Sequence, residues 1–517
     1  MTALTALARA RAVESDTAQP VCTVRHVHVS QQPLVLVPLA LAGEANAPLA
    51  AMAGHDPDAP ELLIVAQPRN RDQRFAFAAA LGTMITSYIE GFTGGAEVLP
   101  ARPDTAGPRT RFPGAPQVWL PNRSGIGFAR LLGRSTRFRR TEGEWAVDPA
   151  VPVLGRWLTY LTERAELPGS CLMLAATEAL ALHWASGQSP AEDLNLAALL
   201  GWIDPPPGLT GPEAAAAAED PLTWPPAGPA TDPGFDNEVL SPLIAACARA
   251  AGHPDARLSA EARLREALAS QLTPTWGLMW RAIRLLRALP PGQRVTQRWD
   301  RDRDSFTAQV QYLRDVGLPQ PRRDSAVTAA RRLDWLERVQ ARYAVERALD
   351  DPLVMAEYRL TGQAFAGTVT SAQPARLDTS GPRRKLRPLI TVATQDPVRI
   401  EPGTKLTSPS RPGQTAQVVS AAAGVPSAGR SGPAVGSAAV GGAATSFVLE
   451  LSGGMGRSLT PAPGSVPEAG ERVCYMEQAE SWFAAGAFPS ADETPWTHGG
   501  PPPAYVPTDE DATEAWA

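Results

Sequence analysis

Apolar and polar positions recur with different periods along this chain, and the changes of period divide it into parts. Val21–Val29 alternates with period two, the pattern of a strand with one face toward a core. Leu34-Val35-Leu36-Val37 and Leu62-Leu63-Ile64-Val65 are short continuous apolar runs that fit buried strands, the second bracketed by Pro60 and Pro68. Phe75 to Tyr88 reads as a helix ending near Gly91, and Gln117-Val118-Trp119-Leu120 as a further strand before a basic stretch.

From about residue 150 the period changes to that of a helix. Leu154, Trp157, Leu158 and Leu161 share one face, Pro168-Gly169 ends that helix, and a second is predicted from Ser170 to Trp184. Prolines at 205–207 and 225–226, with the alanine run between them, mark an irregular connection over 205–235. Helices resume near Asn237. One carries the stripe Trp276, Met279, Trp280, Ile283 and Leu286. Another carries Leu333, Leu336, Val339 and Tyr343, with an Asp334–Arg338 pair at i,i+4.

After Asp351-Pro352 the pattern turns to strands at Ala366–Val369, Leu389–Ala393, Ala416–Ser420, Phe447–Leu451 and Arg472–Met476, separated by Gly/Pro clusters. Residues 421–446 are almost wholly Ala, Gly, Ser, Pro and Val, and a disordered insertion is expected there. The predicted fold is α+β and multi-domain: a mixed α/β part at 1–145, a mainly helical part at 146–360, a small β-barrel or sandwich at 361–482, and a disordered acidic tail at 483–517.

Composition adds context. Of 48 basic residues only Lys385 and Lys405 are lysine, a bias typical of GC-rich bacterial coding that weakens any argument from arginine number alone. The opening residues lack the basic start and apolar core of a secretory signal, and no apolar run approaches the ~20 residues of a membrane span. Four scattered cysteines form no C-x-x-C pair, so free thiols and a cytoplasmic setting are expected.

Charge is segregated. Residues 101–140 hold nine arginines against Asp104 alone, and 141–270 hold six arginines against eighteen acids. Residues 271–347 are basic again, with fifteen arginines against eight acids. Such blocks create local fields that the net charge of -5 conceals.

No phosphate-binding loop is present, since neither lysine follows the required glycines, and no G-x-S-x-G marks a serine nucleophile. Asp300, Asp302 and Asp304 lack the Gly and Glu that close a calcium loop, and among Arg298, Arg301 and Arg303 they read as a solvated ion-pair lattice. On a strand, Cys22, His26 and His28 share one face and form a candidate zinc set; no other cofactor is expected. Glu178, His183 and Glu192 offer a carboxylate–imidazole group, with a hydrogen-bonded core histidine as the simpler reading of His183.

The arginine blocks carry the leading expectation. Arg123, Arg130, Arg134, Arg137, Arg139 and Arg140 lie among Phe128, Phe138 and Trp119, and Arg281, Arg284 and Arg287 recur along one helix. Guanidinium forks suit phosphates and aromatic faces suit bases, so a non-catalytic protein binding nucleic acid, or a partner that processes it, is expected. Pairing of these arginines with the acidic 141–270 segment is the competing outcome. The alternatives are an enzyme with a site assembled across domains, such as a metal-dependent hydrolase, and a scaffold subunit of a bacterial complex.

Overall fold

The computed structural model describes residues 2–44, 47–101, 107–221, 224–250, 252–321, 323–423, 445–477 and 487–488. All of the acidic tail but 487–488 and most of the 421–446 insertion lie outside them. The chain divides into two compact units, Ala3–Gln340 and Ala341–Ala485.

The first unit is built on a five-stranded sheet of β1 (Leu34–Ala40), β2 (Pro48–Gly54), β3 (Glu61–Ile64), β4 (Val118–Leu120) and β5 (Met173–Ala175), in the order β3-β2-β1-β4-β5. β1, β2 and β3 pair antiparallel, whereas β4 joins β1, and β5 joins β4, in parallel. All seven residues of β1 are buried, because both faces of the sheet are covered. Leu34, Leu36, Val118 and Leu120 face a core shared with helices α1 (Arg71–Glu90), α2 (Arg123–Thr136), α3 (Ala150–Ala165) and α5 (Val295–Asp315). Val35, Val37, Leu39 and Trp119 point to the other face, against the 35-residue α4 (Pro254–Ala288). Period two along the strands thus feeds two cores.

Several sequence expectations hold. The helix expected over Phe75–Tyr88 is α1, started by the Asn70 side chain accepting from the Gln73 N–H and ending at Gly91. The stripe from Trp276 to Leu286 is buried on α4. The last expected helix is α6 (Ala326–Asp350), with Arg338 Nη2 2.8 Å from Asp334.

Others are corrected. Val21–Val29 is not a strand. Its amides bond to groups that are not a neighbouring strand: Arg25 N–H to Pro290 O (2.7 Å), His26 N–H to His183 Nε2 (2.9 Å), His28 N–H to Cys171 Sγ (3.2 Å) and, just beyond, Ser30 N–H to Gln117 Oε1 (2.9 Å). Ser170–Trp184 is β5 followed by a helix of only six residues, Ala176–Ala181, because Met173–Ala175 completes the sheet beside β4. The alanine run within 205–235 is an ordered helix, Gly211–Glu219, started by a reciprocal cap between Thr210 and Glu213. β2, poor in β-branched residues, gave no strand signal. Asp302 is not solvated: it is buried, accepting from the Cys171 N–H (2.6 Å) and Ser170 Oγ–H (2.7 Å).

In the second unit, β6 (Ala364–Gln373), a short hairpin of β7 (Leu377–Asp378) and β8 (Lys385–Leu386), β9 (Leu389–Thr394), β10 (Lys405–Ser408), β11 (Arg411–Ala423), β12 (Thr445–Ser452) and β13 (Arg472–Glu477) follow one another. Six of them close a barrel in the order β6-β9-β12-β11-β10-β13; of the barrel or sandwich expected for this region the barrel is found, with β10 a strand the sequence did not signal. Alternate residues fill it: Phe365, Val369, Ile390, Val392, Phe447, Leu449, Leu451, Val473 and Tyr475. Phe365 and Phe447 stack at 4.8 Å between ring centroids. Among the described residues no helix is long and apolar enough to cross a membrane.

Candidate nucleic-acid interface

The basic stretch at 123–136 is helical, which the sequence reading had not assigned. Spacings of seven, four and three residues place Arg123, Arg130, Arg134 and Arg137 along one side of α2 and its cap. Helix α3 packs closely against α2 because Gly133 and Gly155 lie in the contact. A Cβ on Gly133 would sit 3.0 Å from the Thr159 nitrogen. This approach brings Arg156 and Arg164 of α3 onto the same wall.

Two clefts follow from that packing. The first, of about 700 Å³, is lined by Arg130, Arg134, Arg137, Arg164 and Arg332, by Glu163, Glu166 and Asp324, and by Trp335. The second, of about 690 Å³, shares Arg137 and adds Arg139, Arg140 and Arg156 against Glu142. Together they set eight arginines against four carboxylates, a net of +4.

The arginines divide by how they are held. Glu166 accepts from Arg130 and from Arg123 (3.1 Å), and Arg123 also meets Glu178 at 2.8 Å. Burial pushes the Glu166 carboxyl upward, but the Arg130 and Arg123 guanidinium groups outweigh it and hold it below its ordinary range. Glu163 shifts the other way: burial raises it, and Arg332 at 3.9 Å only partly compensates. Arg137 is buried, donating to Gln320 O (2.9 Å) and Pro321 O (3.2 Å), its guanidinium 4.6 Å from the Phe138 ring centroid. Arg139 donates to Ser135 O (3.0 Å) and lies over Phe75. Arg140 is exposed in the second cleft. Arg134 is exposed too, and among the described residues it has neither hydrogen bond nor ion pair. Trp335, at the wall of the first cleft, is 40% exposed.

The other basic stretch is not a continuous patch. Arg281 is held by the Asp204 carboxylate at 2.6 Å, and Arg287 donates to Ser30 O (2.6 Å) and Gln31 O (2.9 Å). Arg284 alone of the three is exposed without a partner among the described residues. Acids of 141–270 therefore neutralise Arg123, Arg130 and Arg281. Arg156, Arg164, Arg332 and Trp335 belong to the groove but were missed from sequence. The usable signal was helical periodicity across 123–137; the meeting of α2 with α3 is a tertiary event.

Cys22, His26 and His28 do not lie on one strand face. Cys22 Sγ donates to Leu182 O at 3.2 Å and lies within 4.8 Å of a His26 ring nitrogen. The His28 ring instead stacks on Trp299 at 4.0 Å. Burial, with Arg25 and Arg303 nearby, lowers its pKa to about 4, so the ring is neutral.

The carboxylate–imidazole group is likewise dispersed. His183 is buried, with Nε2 accepting from the His26 N–H, so Nδ1 is the donor to Ala179 O at 2.7 Å. Glu178 is engaged by Arg123, and Glu192 accepts from the Ser189 N–H at 2.6 Å.

Comparison with protein families, with curated proteins and with solved structures finds no match to the chain.

Proposed function

We propose that the protein binds single-stranded nucleic acid, without chemistry on it, along the groove formed by α2, α3 and the start of α6. The observation that carries this reading is Arg134, an exposed guanidinium with no carboxylate of its own in a groove of net charge +4. Trp335 supplies an aromatic face at the same wall, and a base stacks on such a face whatever its identity. Arg137 and Arg156, fixed by backbone carbonyls, contribute positive charge without needing reorganisation when a phosphate arrives. Glu166 tempers the groove by engaging two arginines at once.

Fluorescence anisotropy with a labelled oligothymidylate at low and raised salt tests the reading. Binding should weaken with salt, with a log–log slope of about -0.7 per phosphate contacted. Trp335→Ala should cost about 1–3 kcal/mol of affinity if a base stacks there. Arg134→Ala should make the slope shallower by about one contact, and Glu166→Gln should tighten binding by releasing Arg130. Absence of binding by the wild-type chain, or a salt slope of zero, overturns it.

A further inference from the structure

We infer that the β7–β8 hairpin of the barrel is a separate contact for the phosphate backbone of nucleic acid, an inference that rests on the nucleic-acid reading above. The hairpin is an insertion at the end of the β6–β9 ladder, where Gln373 pairs with Leu389. Its base is fixed. Leu377 pairs with Leu386, and Leu386 is buried in the barrel core. Arg376 donates to Arg387 O at 2.9 Å and to the Glu450 carboxylate at 2.6 Å, and Arg387 Nε lies 3.7 Å from the same carboxylate.

The turn and the start of the returning strand carry Arg383, Arg384 and Lys385 in succession, all exposed, and among the described residues none of the three side chains has a hydrogen-bond or ion-pair partner. The one acid of the hairpin, Asp378, accepts from the Ser380 N–H (2.9 Å) and Oγ–H (2.7 Å). Elsewhere in the chain most arginines near the groove are matched by a carboxylate or a carbonyl; here three adjacent cations are displayed on an anchored arm. Consecutive point charges without side-chain partners suit a repeating anion better than a single planar ligand, because each phosphate is met by displacement of counterions and not by a built pocket. The contact is therefore expected to be indifferent to sequence and to strandedness.

The full chain is compared with Arg383→Ser/Arg384→Ser/Lys385→Ser and with Arg383→Lys/Arg384→Lys, on a labelled oligothymidylate and on a short duplex. The neutral triple variant should bind both more weakly, with the log–log salt slope shallower by about two for single strands and nearer three for duplex. The lysine variant should keep the wild-type slope. If the triple variant retains affinity and slope while groove variants lose them, the hairpin inference falls and the groove stands. If binding survives Arg134→Ala and Trp335→Ala but is lost in the triple variant, the groove reading falls instead. Weakening that the charge-preserving lysine variant shares points to damage to the barrel and also overturns the inference.

Discussion

In the first unit polar groups are turned inward, whereas the barrel unit keeps an apolar interior and displays cations on an anchored arm. Gln117 makes the contrast concrete. Its side chain is fully buried; Oε1 accepts from Ser30 N–H and Trp119 Nε1–H, and Nε2 donates to His28 O and Cys171 O, each at 2.9 Å. Those bonds tie the irregular segment 21–31 to the sheet. In the barrel most backbone groups are met by neighbouring strands, and its core side chains are largely apolar, with few buried polar ones such as Gln414. A sheet closed on itself is specified by alternation alone; a segment held by side chains depends on particular residues far away in sequence.

The largest expected effect breaks that contrast at its centre. Gln117→Ala removes all four side-chain hydrogen bonds and leaves buried partners unsatisfied. The expected loss is about 4 kcal/mol, from net values of about 1 kcal/mol per bond with added cost for each orphaned group. Amide hydrogen exchange gives the localised readout: the Ser30 amide and β4 should lose protection while β6 and β9 keep theirs. Equal loss in both units would mean that the Gln117 network does not act locally.

The same contrast explains what was legible from residues alone. Five of the six barrel strands were readable from alternation, as where Phe447, Leu449 and Leu451 alternate with half-exposed neighbours, whereas the four-residue β10 was too short to signal itself. The apolar run at Leu34–Val37 announced the central strand, but β2 was silent because alanine, glycine and proline carry little strand preference. Val21–Val29 misled: its alternation is real, yet no strand lies beside it to accept its amides. For the groove, the arginines of 123–140 were visible as a block, but Arg123 and Arg130 are tied to Glu166. Arg156, Arg164 and Arg332 join only through packing of α2 on α3 and the chain at 320–336. Charge counts reveal how many arginines there are, not which of them carboxylates hold.

A smaller effect concerns pH. Burial raises the Asp302 carboxyl to about 6, against the opposing bonds from Cys171 and Ser170. Between the ordinary carboxyl range and that value the folded state holds a proton the unfolded chain has lost, so stability falls as pH rises through about 4 to 6. His28 acts in the opposite sense. With its pKa lowered from 6.5 to about 4, the unfolded chain holds a proton the folded state lacks, and stability rises over nearly the same interval. The two slopes, each at most about 1.4 kcal/mol per pH unit, oppose each other in the wild type. Relative to the wild type, urea midpoints across about pH 4 to 6 should therefore rise more steeply with pH in Asp302→Asn, which keeps only His28 of this pair, and less steeply in His28→Gln. Identical profiles in the two variants would exclude these residues as the source of the balance.

The smallest expected effect tests whether inward pairing matters where the pair is still wet. Arg123 and Glu178 meet at 2.8 Å, but their side chains are 58% and 43% exposed. Water screens such a pair and ordering two long side chains offsets its attraction, so a double-mutant cycle with Arg123→Ala and Glu178→Ala should give a coupling of about 0.2–1 kcal/mol. The value should shrink further in raised salt. A coupling of several kcal/mol would mean that the exposed ion pairs of the first unit stabilise it as its buried network does. The arginines of α2 would then be structural parts of the fold, and the charge left for a ligand would narrow toward Arg134.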